Sequence, residues 1–128
     1  EGQRGESQIF AQPARWMDFS GSVAIGEGDQ RTTGYEGITY FDHPNNPRYP
    51  SAWHVRDDGW MAAAFCLHEG LQVSGDAPLT LRYLLHAHRG VYDSARAAEV
   101  HHQFASRSPF SVTPSTQAHH QYQVQREQ

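Results

Sequence analysis

The chain has 128 residues, a formal charge of −4 and a hydrophobic fraction of 38%, which leaves room for one domain with a modest core and no basic face of the kind that holds nucleic acid. Its 10 basic residues are all arginine, which excludes Schiff-base and pyridoxal chemistry and a phosphate-loop lysine. A single cysteine, Cys66, rules out an intrachain disulfide and a multi-cysteine metal site, and its apolar neighbours Ala63, Ala64, Phe65 and Leu67 predict a buried, inert thiol.

In chain order, the first dozen residues are polar, with only Ile9 and Phe10 to anchor them. Arg15 to Phe19 alternate as a strand, with a turn expected at Ser20-Gly21 and a continuation over Val23 to Ile25. Gly26 to Gly34, rich in glycine and charge, predicts an exposed hairpin connection. Gly37 to Phe41 is β-branched and aromatic, a half-buried strand. Pro44, Pro47 and Pro50 then hold the next stretch in extended or turn conformations, a rigid loop of the kind that places polar groups at low entropic cost.

Ala52 to Arg56 predicts a short strand with Trp53 and Val55 on one face and Ala52, His54 and Arg56 on the other. Asp57-Asp58-Gly59 is a turn. Trp60 to Leu67 reads as a buried strand or an irregular apolar segment, which periodicity does not separate. A brief strand over Leu71 to Val73 and a turn at Gly75 to Pro78 follow. Leu79 to His88 alternates most cleanly: Leu79, Leu81, Tyr83, Leu85 and Ala87 are expected to face the core, and Thr80, Arg82, Leu84, His86 and His88 the other side. Asp93 predicts an N-cap for a helix over Ser94 to Ala105 with Ala97, Val100 and Phe104 on one side. From residue 108 onward the chain is rich in Ser, Thr, Pro, Gln and His, and a disordered tail is expected.

Short strands with Gly and Pro turns and one late C-terminal helix define an all-β class, an antiparallel β-sandwich over residues 1–107. The longest apolar run, Met61 to Leu67, is far below the ~20 residues that cross a bilayer. A soluble chain with no transmembrane segment is expected; neither compartment nor oligomeric state can be read from the sequence.

The pieces ARWMDFSG, EGITYFDHPNNPRYPSAWHVRDDGW and LTLRYLLHAHRG resemble the C-terminal half of the DUF6807 family, described as methane oxygenase PmoA-like. The resemblance covers Ala14 to Ala105 and rests on Arg15, Trp16, Asp42, His43, Pro44, Asn46, Pro47, Arg48, Pro50, Trp53, His54, Arg56, His88 and Gly90. It implies a β-sandwich and a chain that corresponds to the C-terminal part of a longer domain. It also implies a carbohydrate-like small-molecule ligand by association, or, from the family's description, a metal-dependent oxygenase.

The residues give several candidates. Asp42 and His43 suit an acid/base pair, with Asp42 orienting His43 and His54 as a second proton-transfer group; the competing reading has Asp42 capping the turn and His43 bracing the prolines. Arg48 and Arg56 are suited to holding ligand oxygens, and Arg48 alternatively to pairing with Asp57 or Asp58. Trp53 and Tyr49 are open to ligand stacking, whereas Trp60 and Tyr40 are expected in the core. His86 and His88 share a strand face and would be the ligands of any metal, with a third from His43 or His54. His101-His102 and His119-His120 are expected on the surface. No pattern specifies a cofactor. His43, Arg48, His54 and Arg56 are expected to converge on one pocket with His88 at its edge; non-catalytic glycan or protein binding is the alternative.

Overall fold

The structure is a computed structural model and describes residues 2–128. Its main layer starts from one long antiparallel hairpin, β1 (Trp16–Ile25) and β2 (Thr32–Asp42), closed by a single 3-10 turn at Gly28–Gln30. Ser20-Gly21 does not turn: β1 runs through it, because Ser20 and Gly21 pair with Gly37 and Glu36 and the ladder continues to Ile25. After β3 (Trp53–Val55) and β4 (Met61–Ala63), β5 (Tyr83–Arg89) pairs antiparallel with the other edge of β2, giving the order β1-β2-β5.

The pleat sorts the side chains of this sheet onto two faces. Trp16, Asp18, Thr39, Phe41, Leu84, His86 and His88 share one. On it lies α2 (Ser94–Ala105), capped as its sequence predicts: the Asp93 carboxylate accepts from Ala95 N–H at 2.8 Å and Arg96 N–H at 3.2 Å. Ala97, Val100 and Phe104 of α2 pack on Phe41, with Trp16, Leu84 and Tyr92 around them; this is the core. The face assignment expected for β5 is therefore inverted. Leu84 packs inward on the histidine side, while Leu85, expected in the core, is 65% exposed, because the apolar side of α2 settles where Phe41 and Trp16 already present apolar area.

The opposite face carries Met17, Phe19, Ile38, Tyr40, Leu85 and Ala87, and only a short second layer covers it. β3 and β4 form a hairpin around the Asp57-Asp58-Gly59 turn and seat the Trp53 ring edge-on against Tyr40 at 5.1 Å. Before them, α1 (Glu6–Ile9) leads to a backbone bridge between Pro13 and Ala52. The all-β antiparallel class with a late helix is the observed one. No helix among the described residues is long and apolar enough to cross a membrane.

Three local expectations change. The apolar run after Trp60 is strand only over Met61–Ala63, then turns, and Cys66 is exposed rather than buried. No strand forms at Leu71 to Val73. The segment expected as a disordered tail pairs as a hairpin of β6 (Phe110–Pro114) and β7 (Tyr122–Arg126); alternation of Phe110, Val112, Tyr122 and Val124 with polar residues supplies the strand period that its composition hides.

Candidate functional site

The proline loop is anchored by a buried polar staple of Asp42, Asn46 and Ser51. Asp42 is fully buried; one carboxylate oxygen accepts from Asn46 Nδ2 at 2.7 Å and the other from Ser51 N–H at 2.8 Å. Asn46 passes the connection on, donating to the Arg82 carbonyl at 2.7 Å and accepting from Arg82 N–H at 2.8 Å. The loop is thereby fixed to the chain entering β5. A Tyr49–Pro50 cis peptide lies within it. This geometry matches the turn-capping reading of Asp42 better than the acid/base one, since both oxygens are occupied by structural donors.

His43 is equally enclosed. Its ring packs edge-on against Phe104 of α2 at 4.9 Å, Nδ1 accepts from Asn45 N–H at 3.1 Å, and Nε2 is buried without a hydrogen-bond partner. Burial, reinforced by the Arg82 charge, pulls its pKa below the usual imidazole range. His101, expected on the surface, is buried on the inner side of α2. Its Nε2 lies 3.1 Å from the Tyr49 hydroxyl, and burial likewise lowers its pKa. The Tyr83 hydroxyl, buried without a hydrogen-bond partner, has its pKa pushed up to about 12 by desolvation first and the Asp42 charge second.

Arg48 faces elsewhere. It donates to the carbonyls of Phe65, Glu69 and Gly70 and pairs with the Glu69 carboxylate at 3.4 Å, so it holds the 65–70 turn instead of Asp57 or Asp58. Arg56 is exposed and pairs with Asp58 at 2.6 Å. Trp53 is fully buried, its indole N–H donating to the Ala14 carbonyl at 2.8 Å. His54, one residue on, points away from the sheet. It packs with Phe10 (5.3 Å, edge-on) and Trp60 (6.4 Å), and Trp60, expected in the core, is 58% exposed.

The expected convergence therefore does not form. His43 lies under α2 on one side of the three-stranded sheet, and His54 lies on the outer surface of the β3–β4 hairpin that covers the other. Two separate constellations take its place. One is a shelf of Phe10, His54 and Trp60, bordered by the Arg56–Asp58 pair. The second is a polar cluster on the α2 face: His88 Nε2 lies 2.9 Å from the Asp18 carboxylate, which also accepts from the Thr39 hydroxyl at 2.7 Å. The absent side chain of Gly37 makes this contact feasible, since a Cβ there would stand 2.8 Å from His88 Nε2. Asp18 was missed as a candidate; its place opposite Thr39 in the β1–β2 register would have found it.

His86 points to the same face, against Phe41 at 6.5 Å. Among the described residues no three His, Cys, Asp or Glu side chains gather as a metal site would require, and His88 already engages Asp18. The donor set does not fit a metal held by His86, His88 and a loop histidine.

Beside the shelf, the uncovered part of the sheet forms an open groove of about 1030 Å³, lined by Phe19, Ile38, Leu85 and Ala87 and, from the β3–β4 side, by Gly59 and Met61.

A family model, described as a family of unknown function, DUF6807, matches residues 1–102. No curated protein and no solved structure matches the chain.

Proposed function

The chain belongs to the DUF6807 family, and we propose that it binds a carbohydrate-like ligand on the shelf of Phe10, His54 and Trp60. The observation that carries this reading is the exposure of Trp60, 58%, beside a histidine and a second exposed ring. A large indole held open to solvent next to paired charges offers an apolar plane for the C–H face of a sugar ring. Arg56 and Asp58 supply a donor fork and acceptors at its edge for hydroxyls. Covering about 60 Å² of the indole at ~25 cal/mol per Å² contributes roughly 1.5 kcal/mol, about tenfold in affinity.

The test is titration of the protein with a panel of neutral oligosaccharides, read by Trp fluorescence and by the His54 ring signals in NMR. Trp60→Ala is expected to weaken binding at least tenfold with little change in melting temperature, since the ring lies outside the core. Binding that survives Trp60→Ala unchanged, or a panel without any binder, rejects the shelf as the site.

A second reading, catalysis, is favoured by the Asp18–His88 pair. A carboxylate fixed by a hydroxyl and hydrogen-bonded to an imidazole is the orienter-and-base arrangement of general acid/base chemistry. Asp18→Asn and His88→Gln variants that keep ligand binding and lose turnover would support it; retained turnover would remove it. The oxygenase reading has no support from the donor geometry.

A further inference from the structure

Two surfaces of this chain are built as one side of a sandwich and lack the other. The first is the outer half of the three-stranded sheet. Its strands run 10, 11 and 7 residues, whereas β3 and β4, which cover it, have three residues each. The cover stops near Tyr40 and Met61, and beyond it Phe19, Ile38 and Leu85 remain 54%, 46% and 65% exposed. An antiparallel sheet with an apolar face needs a second layer over it.

The second surface is the β6–β7 hairpin. Its register pairs Val112 with Val124 and puts Phe110, Val112, Tyr122 and Val124 on one side, Ser111, Thr113, Gln123 and Gln125 on the other. The apolar side faces out: all four of those residues are exposed, while Ser111 and Gln123 on the polar side are the less exposed ones. A two-stranded ribbon is marginal alone, and one that turns its apolar side to water has its partner elsewhere.

The total surface agrees. The chain exposes 9448 Å², where a compact monomer of 14.4 kDa exposes about 6,800 Å². The excess, roughly 2,600 Å², is shared with the loop that carries Leu67, Leu71, Val73 and Leu79, and the part on the groove and the hairpin has to reach only the ~800 Å² per partner of a specific interface.

We propose that the β6–β7 hairpin of one copy packs its apolar side into the open groove of a second copy, and that the exchange is reciprocal. Five-residue strands span about 17 Å, enough to extend the short second layer along the uncovered sheet. Arg126, at the end of β7 and over the Phe110 ring at 4.3 Å, would meet a groove rim that carries both charges, Glu36 paired with Arg89 at 3.4 Å. The hairpin is held away from its own groove. Arg82 grips the carbonyls of Arg107 and Ser108, and Arg126 returns to the Ser108 carbonyl at 2.7 Å, which fixes the hairpin's root beyond α2, on the opposite side of the sheet from the groove. Reciprocal exchange closes after two chains, so the product is a twofold dimer and not a filament.

Sedimentation equilibrium and light scattering of the full chain at 10–100 µM are expected to give twice 14.4 kDa. Val112→Asp with Val124→Asp, and separately Leu85→Asp, are expected to raise the dimer dissociation constant at least 100-fold with the near-UV circular dichroism retained. In a Cys66→Ser background, chains carrying Leu85→Cys mixed with chains carrying Val124→Cys are expected to form an interchain disulfide. A monomeric wild-type chain at 100 µM, a dimer indifferent to both the hairpin and the groove variants, or a mixture in which no Leu85→Cys to Val124→Cys interchain disulfide forms would each overturn the proposal.

Discussion

Replacing Asp42 by Ala separates a structural carboxylate from a catalytic one. The substitution removes the acceptor for Ser51 N–H and for one Asn46 amide hydrogen, in a position with no access to water. Each buried donor left unpaired costs about 1–3 kcal/mol, so the loss is about 4 kcal/mol, a large share of the ~5–15 kcal/mol that holds a domain together. Asp42→Asn keeps one acceptor and turns an amide N–H against the second donor, and should cost about half as much. At roughly 3–5 °C per kcal/mol for a chain of this length, Asp42→Ala should melt more than 10 °C below wild type. Urea unfolding measures the free energy directly, with an unchanged slope showing that the same surface is exposed on unfolding. Asn46→Ala combined with Asp42→Ala in a double-mutant cycle should give a coupling energy above 1 kcal/mol, because the two share a bond. An Asp42→Ala protein within about 1 kcal/mol of wild type would refute the staple and return Asp42 to the list of candidate acids and bases.

Two further outcomes follow from burial. His43 and His101 both have pKa values lowered from 6.5, so their neutral forms are the ones the fold accepts. The unfolded chain takes up protons that the folded one resists, and stability should be full above the unfolded value of about 6.5 and decline as pH falls below it toward the lowered folded values. Unfolding free energies at pH 7.5, 6.5 and 5.5 test this, and His43→Gln with His101→Gln should flatten the slope; a slope that both substitutions leave unchanged would place its origin elsewhere. Cys66, exposed, should react with a thiol reagent in the native protein at close to the rate seen in denaturant, and protection of many fold would contradict its position.

What the sequence made legible was local. The Asp93 cap and α2 depend on residues within a turn of one another, and the β1–β2 hairpin on alternation around one glycine-rich loop. What it hid was decided by distant parts of the chain. His43 looks like a loop histidine until α2, some 60 residues later, lays Phe104 over it. Leu85 looks like core until the same helix chooses the other face of β5. The hairpin of β6 and β7 was masked by composition, since Gln and Ser between the apolar residues lower hydropathy while keeping the strand period.

Trp60 is the instructive case, because the signal for it was present and unused. His54 in β3 and Arg56 just beyond it share the outward side, opposite to Trp53 and Val55. A turn at Asp57-Asp58-Gly59 brings Trp60 level with Arg56, and the Arg56 N–H does bond to the Trp60 carbonyl at 3.0 Å. Residues level across an antiparallel pair lie on the same face, so once Arg56 faces solvent Trp60 must as well, whatever its hydrophobicity. The same register logic finds Asp18. Pairing of Ser20 with Gly37 and of Gly37 with His88 puts a residue without a side chain in the middle of the row, and His88 leans across the gap to the carboxylate one row away. Single-residue hydropathy misplaced Trp60 and gave no reason to single out Asp18; cross-strand register, worked out from the turns, places both.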